Sequence, residues 1–120
     1  MKMITDALSS VARISFKTSE YSAIYPITPS SNIGEQFSLK SEKGERNIFG
    51  NKVKVDIMQS ELGAISSCNG ALNSGLFSTT FTSSQGLLLM IPNMYKMASS
   101  LKPFVLTVAS RSISTHALNI

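Results

Sequence analysis

Residues 62–95 carry no charged side chain, and a single acid, Glu61, stands at their edge. It is the only Asp or Glu between Asp56 and Ile120. A stretch of that length can cross a bilayer, but this one is dotted with Ser, Thr, Asn and Gln, with glycines and with Pro92. Its truly apolar run, 87–91, is far too short to span a membrane. The stretch is therefore read as the interior of a globular domain.

The patterning around it alternates between two periods. Ile4, Leu8, Val11 and Ile14 recur at helical spacing, with Thr5 or Asp6 as the cap. Ala23-Ile24-Tyr25-Pro26-Ile27 reads as a short strand turning into a helix from Asn32 to about Lys40. The charged, glycine-punctuated segment 41–51 reads as a loop. Residues 53–58 alternate as a strand, Ser60 caps a small-residue helix over 62–73, and Gly75 closes it. A Thr/Phe-rich strand over 76–82 follows. A helix then runs from Gln85, bent or restarted at Pro92, before a buried strand over 104–109. Residues 110–116 begin another connection. Strand and helix in alternation predict an α/β fold: a parallel sheet flanked by helices. Ligands in such sheets lie at the carboxyl ends of the strands. Those ends carry Thr28, Glu61, Ser83-Ser84-Gln85 and Ser110-Arg111.

At 120 residues the chain suits one domain. Its net charge of +4 comes from 11 basic and 7 acidic residues, interleaved at Lys40, Glu42, Lys43, Glu45 and Arg46. That is a solvated loop or helix end, and neither a nucleic-acid nor a membrane partner is expected. The one cysteine, Cys68, excludes an internal disulfide or an all-cysteine metal site and suits a reducing compartment. It reads as a packed thiol, and Met90, Met94 and Met97, at helical spacing, read as core. His116 has no Cys or Asp nearby in sequence, so no metal role is expected of it. Met1-Lys2 is not followed by an apolar core, so no signal peptide is expected. A cytoplasmic site is the default, and a hydrogenosome-like organelle is the alternative.

Three residues draw attention, each with two readings. Glu61 is either a first-turn helix acid favoured by the dipole or a carboxylate set against a ligand in a dry site. Thr28 is either a helix cap before Pro29 or a ligand hydroxyl. Arg111 is either a surface residue or an anion clamp.

The strand-end segments resemble a known family. They are Tyr25-Pro26-Ile27-Thr28-Pro29-Ser30-Ser31, Asn47-Ile48-Phe49-Gly50, Met58-Gln59-Ser60-Glu61, Thr79-Thr80-Phe81-Thr82, the long segment 84–96 from Ser84-Gln85-Gly86 to Met94-Tyr95-Lys96, and Thr115-His116-Ala117-Leu118. Together they resemble the N-terminal domain of pyruvate:ferredoxin (flavodoxin) oxidoreductase. The resemblance implies a thiamine diphosphate-binding fold of the pyrimidine type, here a single, truncated and incomplete domain over 1–120. It implies that Glu61 is the catalytic and cofactor-binding carboxylate on the pyrimidine ring nitrogen. It also implies that Thr28 and Arg111 bind the carboxylate and carbonyl of pyruvate. Such a role suits a carboxylate in an apolar site, which can share or hold a proton, and a guanidinium, which grips a carboxylate with two parallel bonds.

In the complete enzyme the resemblance implies oxidative decarboxylation of pyruvate with coenzyme A, giving acetyl-coenzyme A and carbon dioxide. The electrons go to ferredoxin or flavodoxin. Mg²⁺ and 4Fe–4S clusters enter only through domains absent from this chain, and the complete enzyme is expected to be a homodimer. The alternatives are a relative acting on another 2-oxo acid and a non-catalytic remnant or interaction module. The chain departs from the family pattern at Ala7-Leu8-Ser9, at Asn69 where the family has His, and at Leu118-Asn119-Ile120, where the family continues. The isolated chain is expected to be inactive.

Overall fold

The structure, a computed structural model, describes residues 2–110. A helix, α1 (Ala7–Thr18), precedes a regular alternation of β1 (Tyr21–Ile24), α2 (Ser31–Glu42), β2 (Lys54–Ile57), α3 (Glu61–Asn73), β3 (Ser78–Ser83), α4 (Ser84–Ser99) and β4 (Val105–Ala109). Asp6 caps α1: its carboxylate accepts from the Ser9 amide at 2.7 Å and from the Ser9 hydroxyl at 3.1 Å. Those bonds hold the Asp6 carboxyl below its ordinary value. Gly75 takes a positive φ of 90°, the left-handed conformation that ends α3 and that side chains disfavour.

All strand pairs are parallel, in the order β2-β1-β3-β4. Helices cover both faces. Between the sheet and α1 and α2 lies an aromatic core of Phe16, Phe37 and Phe81 with Ala12, Ile24, Ile33 and Val53. Phe37 stands edge-on to Phe16 at 5.3 Å and to Phe81 at 4.7 Å. Under α3 and α4 the core is smaller and softer: Ala23, Ala64, Ile65, Cys68, Leu72, Met90 and Met97, with Tyr21 at its margin.

Several boundaries differ from expectation for physical reasons. β1 begins at Tyr21 and stops at Ile24, because Pro26 has no amide proton to continue a ladder. α2 extends to Glu42, into the segment read as loop. α4 continues through Pro92 as one helix. Pro92 and Leu88 both lie on its exposed side, where water can take the carbonyl that the proline ring leaves unbonded. Met90 and Met97 are buried as expected, but Met94 is exposed. At about 100° per residue Met94 lies about 40° round the helix from Met90 and Met97 about 20° the other way, so Met94 falls at the margin of the buried face.

Cys68 is buried, with its Sγ 3.4 Å from the Thr79 carbonyl oxygen, and burial pushes its thiol up to about 11. Burial, then the 3.0 Å bond from the Tyr21 hydroxyl to Asp56, raises the Tyr21 phenol to about 12. Both groups hold their protons more tightly folded than unfolded. Their stabilisation is complete below the unfolded values of 9.0 and 10.0 and is lost as pH rises through the folded ones. Urea midpoints measured from pH 8 to 11 should therefore fall, and Cys68→Ala should flatten the part of that fall between about 9 and 11. In a separate melt at neutral pH, Phe37→Ala should cost about 3–5 kcal/mol by emptying the aromatic core.

Candidate active site

β1 connects outward to β2, and β3 connects outward to β4, so the strand order reverses between β1 and β3. The crevice beyond their carboxyl ends is where an open parallel sheet accepts ligands. The β1–β3 ladder has only two registered pairs, Tyr21↔Ser78 and Ser22↔Thr79. From its last pair onward, side-chain hydroxyls bridge the strands: Ser22 Oγ donates to Thr79 O at 2.9 Å and Thr80 Oγ1 to Ala23 O at 2.5 Å. Farther out, Ser83 Oγ donates to Ile27 O at 3.3 Å and accepts from the Ser30 amide at 3.4 Å. The end of β3 thus holds the loop that follows β1.

That loop carries Thr28. Its peptide to Pro29 is cis, and its side chain is exposed. Ser30, not Thr28, is the N-cap residue of α2, which sets aside the capping reading of Thr28. The Ser30 hydroxyl donates back to Ile27 O at 2.8 Å. The Thr28 hydroxyl makes no hydrogen bond among the described residues.

Glu61 opens α3 at the same end of the sheet. Ser60 accepts from the Gly63 amide at 3.0 Å and so fixes the helix start. Glu61 is only 8 % exposed. No hydrogen bond or ion pair engages its carboxylate among the described residues. A carboxylate on a mostly buried residue whose oxygens stay unpaired but reachable is suited to a donor from a ligand. Arg111 lies outside the described residues, as do His116 and the segment Thr115-His116-Ala117-Leu118. The end of β4 does reach this region: the Ser110 and Ser84 hydroxyls are 3.1 Å apart, tying the strand to the start of α4.

Two further residues build the site and were not singled out from the sequence. Gly86, in the first turn of α4, packs against the Glu61 side chain, and Thr82 lies beneath it. The motif Ser84-Gln85-Gly86 held the signal, but only the packing shows what the glycine is for. One buried acceptor, Asn69 Oδ1, has no partner among the described residues and lies two turns along α3 from Glu61. Among the described residues no three His, Cys, Asp or Glu side chains gather as a metal site, and no helix is long and apolar enough to cross a membrane.

An open parallel sheet covered on both faces, with polar strand ends and a buried carboxylate at its point of reversal, defines a doubly wound α/β ligand-binding domain. Residues 14–120 match the family described as pyruvate flavodoxin/ferredoxin oxidoreductase, thiamine diphosphate-binding, and the chain belongs to that family. It is 56% identical over 119 residues to a probable pyruvate-flavodoxin oxidoreductase of Escherichia coli K12, covering 98% of this chain and 10% of the relative. It is 50% identical over 119 residues to the pyruvate:ferredoxin oxidoreductase of Moorella thermoacetica, covering 99% of this chain and again 10% of the relative. The chain therefore spans about a tenth of the length of these relatives. Among solved structures, a 2-oxoglutarate:ferredoxin oxidoreductase from Magnetococcus marinus shares the fold, with a TM-score of 0.70 and 24% identity over 91% of this chain and 18% of that one.

Ser60→Ala should cost about 1 kcal/mol in thermal unfolding through loss of the cap. Because Glu61 is the next residue, the same change should loosen the helix turn that carries it, seen as faster amide exchange at Gly63.

Proposed function

We propose that this chain is the pyrimidine-facing part of the thiamine diphosphate site in a larger pyruvate:ferredoxin or pyruvate:flavodoxin oxidoreductase. The observation that carries the reading is Glu61, a buried carboxylate with no partner among the described residues, placed where the sheet order reverses. The residues suit the group: the carboxylate would accept a hydrogen bond from the pyrimidine ring nitrogen and hold its proton there.

Thiamine diphosphate, when bound, supplies the carbon nucleophile that attacks a 2-oxo acid and takes up the electrons released on decarboxylation. The rest of the work falls to the protein. Glu61 keeps the pyrimidine in the protonation state that lets its far amino group act as base. Thr28, whose hydroxyl is not committed among the described residues, would donate to pyruvate. Arg111 would grip the substrate carboxylate through two parallel bonds and fix its orientation. The covered sheet face limits water around Glu61.

The complete reaction we infer is pyruvate plus coenzyme A to acetyl-coenzyme A and carbon dioxide, with two electrons passed to ferredoxin or flavodoxin. Mg²⁺, 4Fe–4S clusters and the coenzyme A contacts would come from other parts of a homodimeric protein. The surface fits a larger assembly: Leu88, Leu89, Ile91, Met94 and Tyr95 on α4, and Leu101 and Val105 near β4, are large apolar side chains open to solvent. Its one cysteine, buried and reduced, suits a cytoplasmic setting.

Glu61→Gln in the complete oxidoreductase keeps the shape of the side chain but cannot hold the proton. Pyruvate oxidation should fall by about 10²–10⁴-fold. Turnover equal to the parent enzyme would remove Glu61 from the chemistry and leave the chain with a structural part only.

A further inference from the structure

Gly86 stands in the first turn of α4 in an ordinary helical conformation, not in the left-handed one that would call for glycine. Glycine loses more backbone freedom than alanine when it is ordered in a helix, and it offers no side chain to pack. Its presence therefore needs a spatial reason, and the packing supplies one. A Cβ on Gly86 would lie 3.0 Å from Glu61 Cγ and 3.4 Å from Glu61 Oε1, and it would collide with the Thr82 hydroxyl. The missing methyl is the space into which the stem of Glu61 fits. Gly86 is the surface of α4 against which that side chain rests, with the Thr82 hydroxyl of β3 also close to the glycine.

We propose that Gly86 is a positioning residue: by leaving this space open it lets α4 close on Glu61 and sets the reach of its carboxylate toward the ligand crevice. The inference rests on the assignment of Glu61 to the pyrimidine nitrogen. An added methyl has two ways out. Either Thr82 and α4 give way and the support under Glu61 is lost, or the Glu61 stem gives by a few tenths of an ångström, and in both cases the carboxylate is no longer held at its original reach. A hydrogen bond to a ring nitrogen tolerates little of that before it weakens. Gly86 thus acts through Glu61 without touching the reacting atoms itself.

The test uses the complete oxidoreductase and reads exchange of the thiazolium C2 proton on bound thiamine diphosphate by quenched-flow NMR, with cofactor affinity measured alongside. Gly86→Ala should slow the exchange by about 10–100-fold, the scale of a sub-ångström to ångström misplacement. In a Glu61→Ala background the same substitution should change the rate less than about twofold, because the group it displaces is gone. Equal slowing in both backgrounds would overturn the proposal, as would exchange at the parent rate in Gly86→Ala. If Gly86→Ala does not fold, Thr82→Ala/Gly86→Ala removes the collision with Thr82 and leaves only the push on Glu61; it is compared with Thr82→Ala and read by the same criteria. Exchange at the parent rate in Glu61→Gln would overturn the Glu61 assignment and this inference with it. Slow exchange in Glu61→Gln with parent-rate exchange in Gly86→Ala would overturn the inference alone.

Discussion

The pairing of β1 with β3 is the contact on which the rest of the domain rests. It joins the two halves of the sheet, β2-β1 and β3-β4, and only two residue pairs of regular ladder hold it. Side-chain hydroxyls do the remainder. Ser22 and Thr80 bond across to main-chain carbonyls, and Ser83 reaches the loop beyond β1. A hydroxyl satisfied inside a core is worth about 0.5–1.5 kcal/mol net, whereas one stranded there costs about 1–3 kcal/mol. The bridge is therefore strong only because each of its donors has an acceptor.

Helix placement follows from that join. α3 arrives from the edge strand β2, crosses over β1 and packs on both central strands, so its first residue lands beside the gap. α4 starts directly from β3, with no intervening loop. The two helix starts converge from different strands, and Glu61 of one rests on Gly86 of the other. The small residues Ala64 and Cys68 of α3 lie in the core with Tyr21 and Ala23 of β1 and let the helix sit close on the sheet. The same arrangement leaves a carboxylate where backbone N–H groups of two helices point outward, a favourable place for negative charge.

Much of this was legible in the chain and some was not. Ser60 before Glu61 announces a helix start, and Asp6 and Gly75 announce another start and an end, because capping is local chemistry. The strand and helix alternation carries the fold class for the same reason. The strand order is not local. Nothing in residues 78–83 says that a run of Ser and Thr forms a central strand buried along its whole length. Hydropathy reads such a run as half-exposed, since it cannot see the carbonyls that receive the hydroxyls. Gly86 was equally hidden: a helical glycine reads as a weak point until the residue filling its space is known. Met94 fails in the opposite sense, an apolar residue at near-core spacing that the structure turns outward.

Four of the five hydroxyls of β3 go to four different places outside the strand. Ser78 bonds to Cys68 O in α3, Thr79 to Val105 O in β4, Thr80 to Ala23 O in β1 and Ser83 to Ile27 O in the loop. Exchanging Thr for Val at such a position keeps the volume but orphans an acceptor in another element. The repair cannot be made in β3; it must be made wherever the acceptor lies. A strand wired this way is mutationally brittle, because each neutral step demands a second change elsewhere in the chain. β4, built from Val, Leu and Ala around a single threonine, can exchange one aliphatic side chain for another with no such obligation, so over long descent the polar strand should drift more slowly than its greasier neighbour.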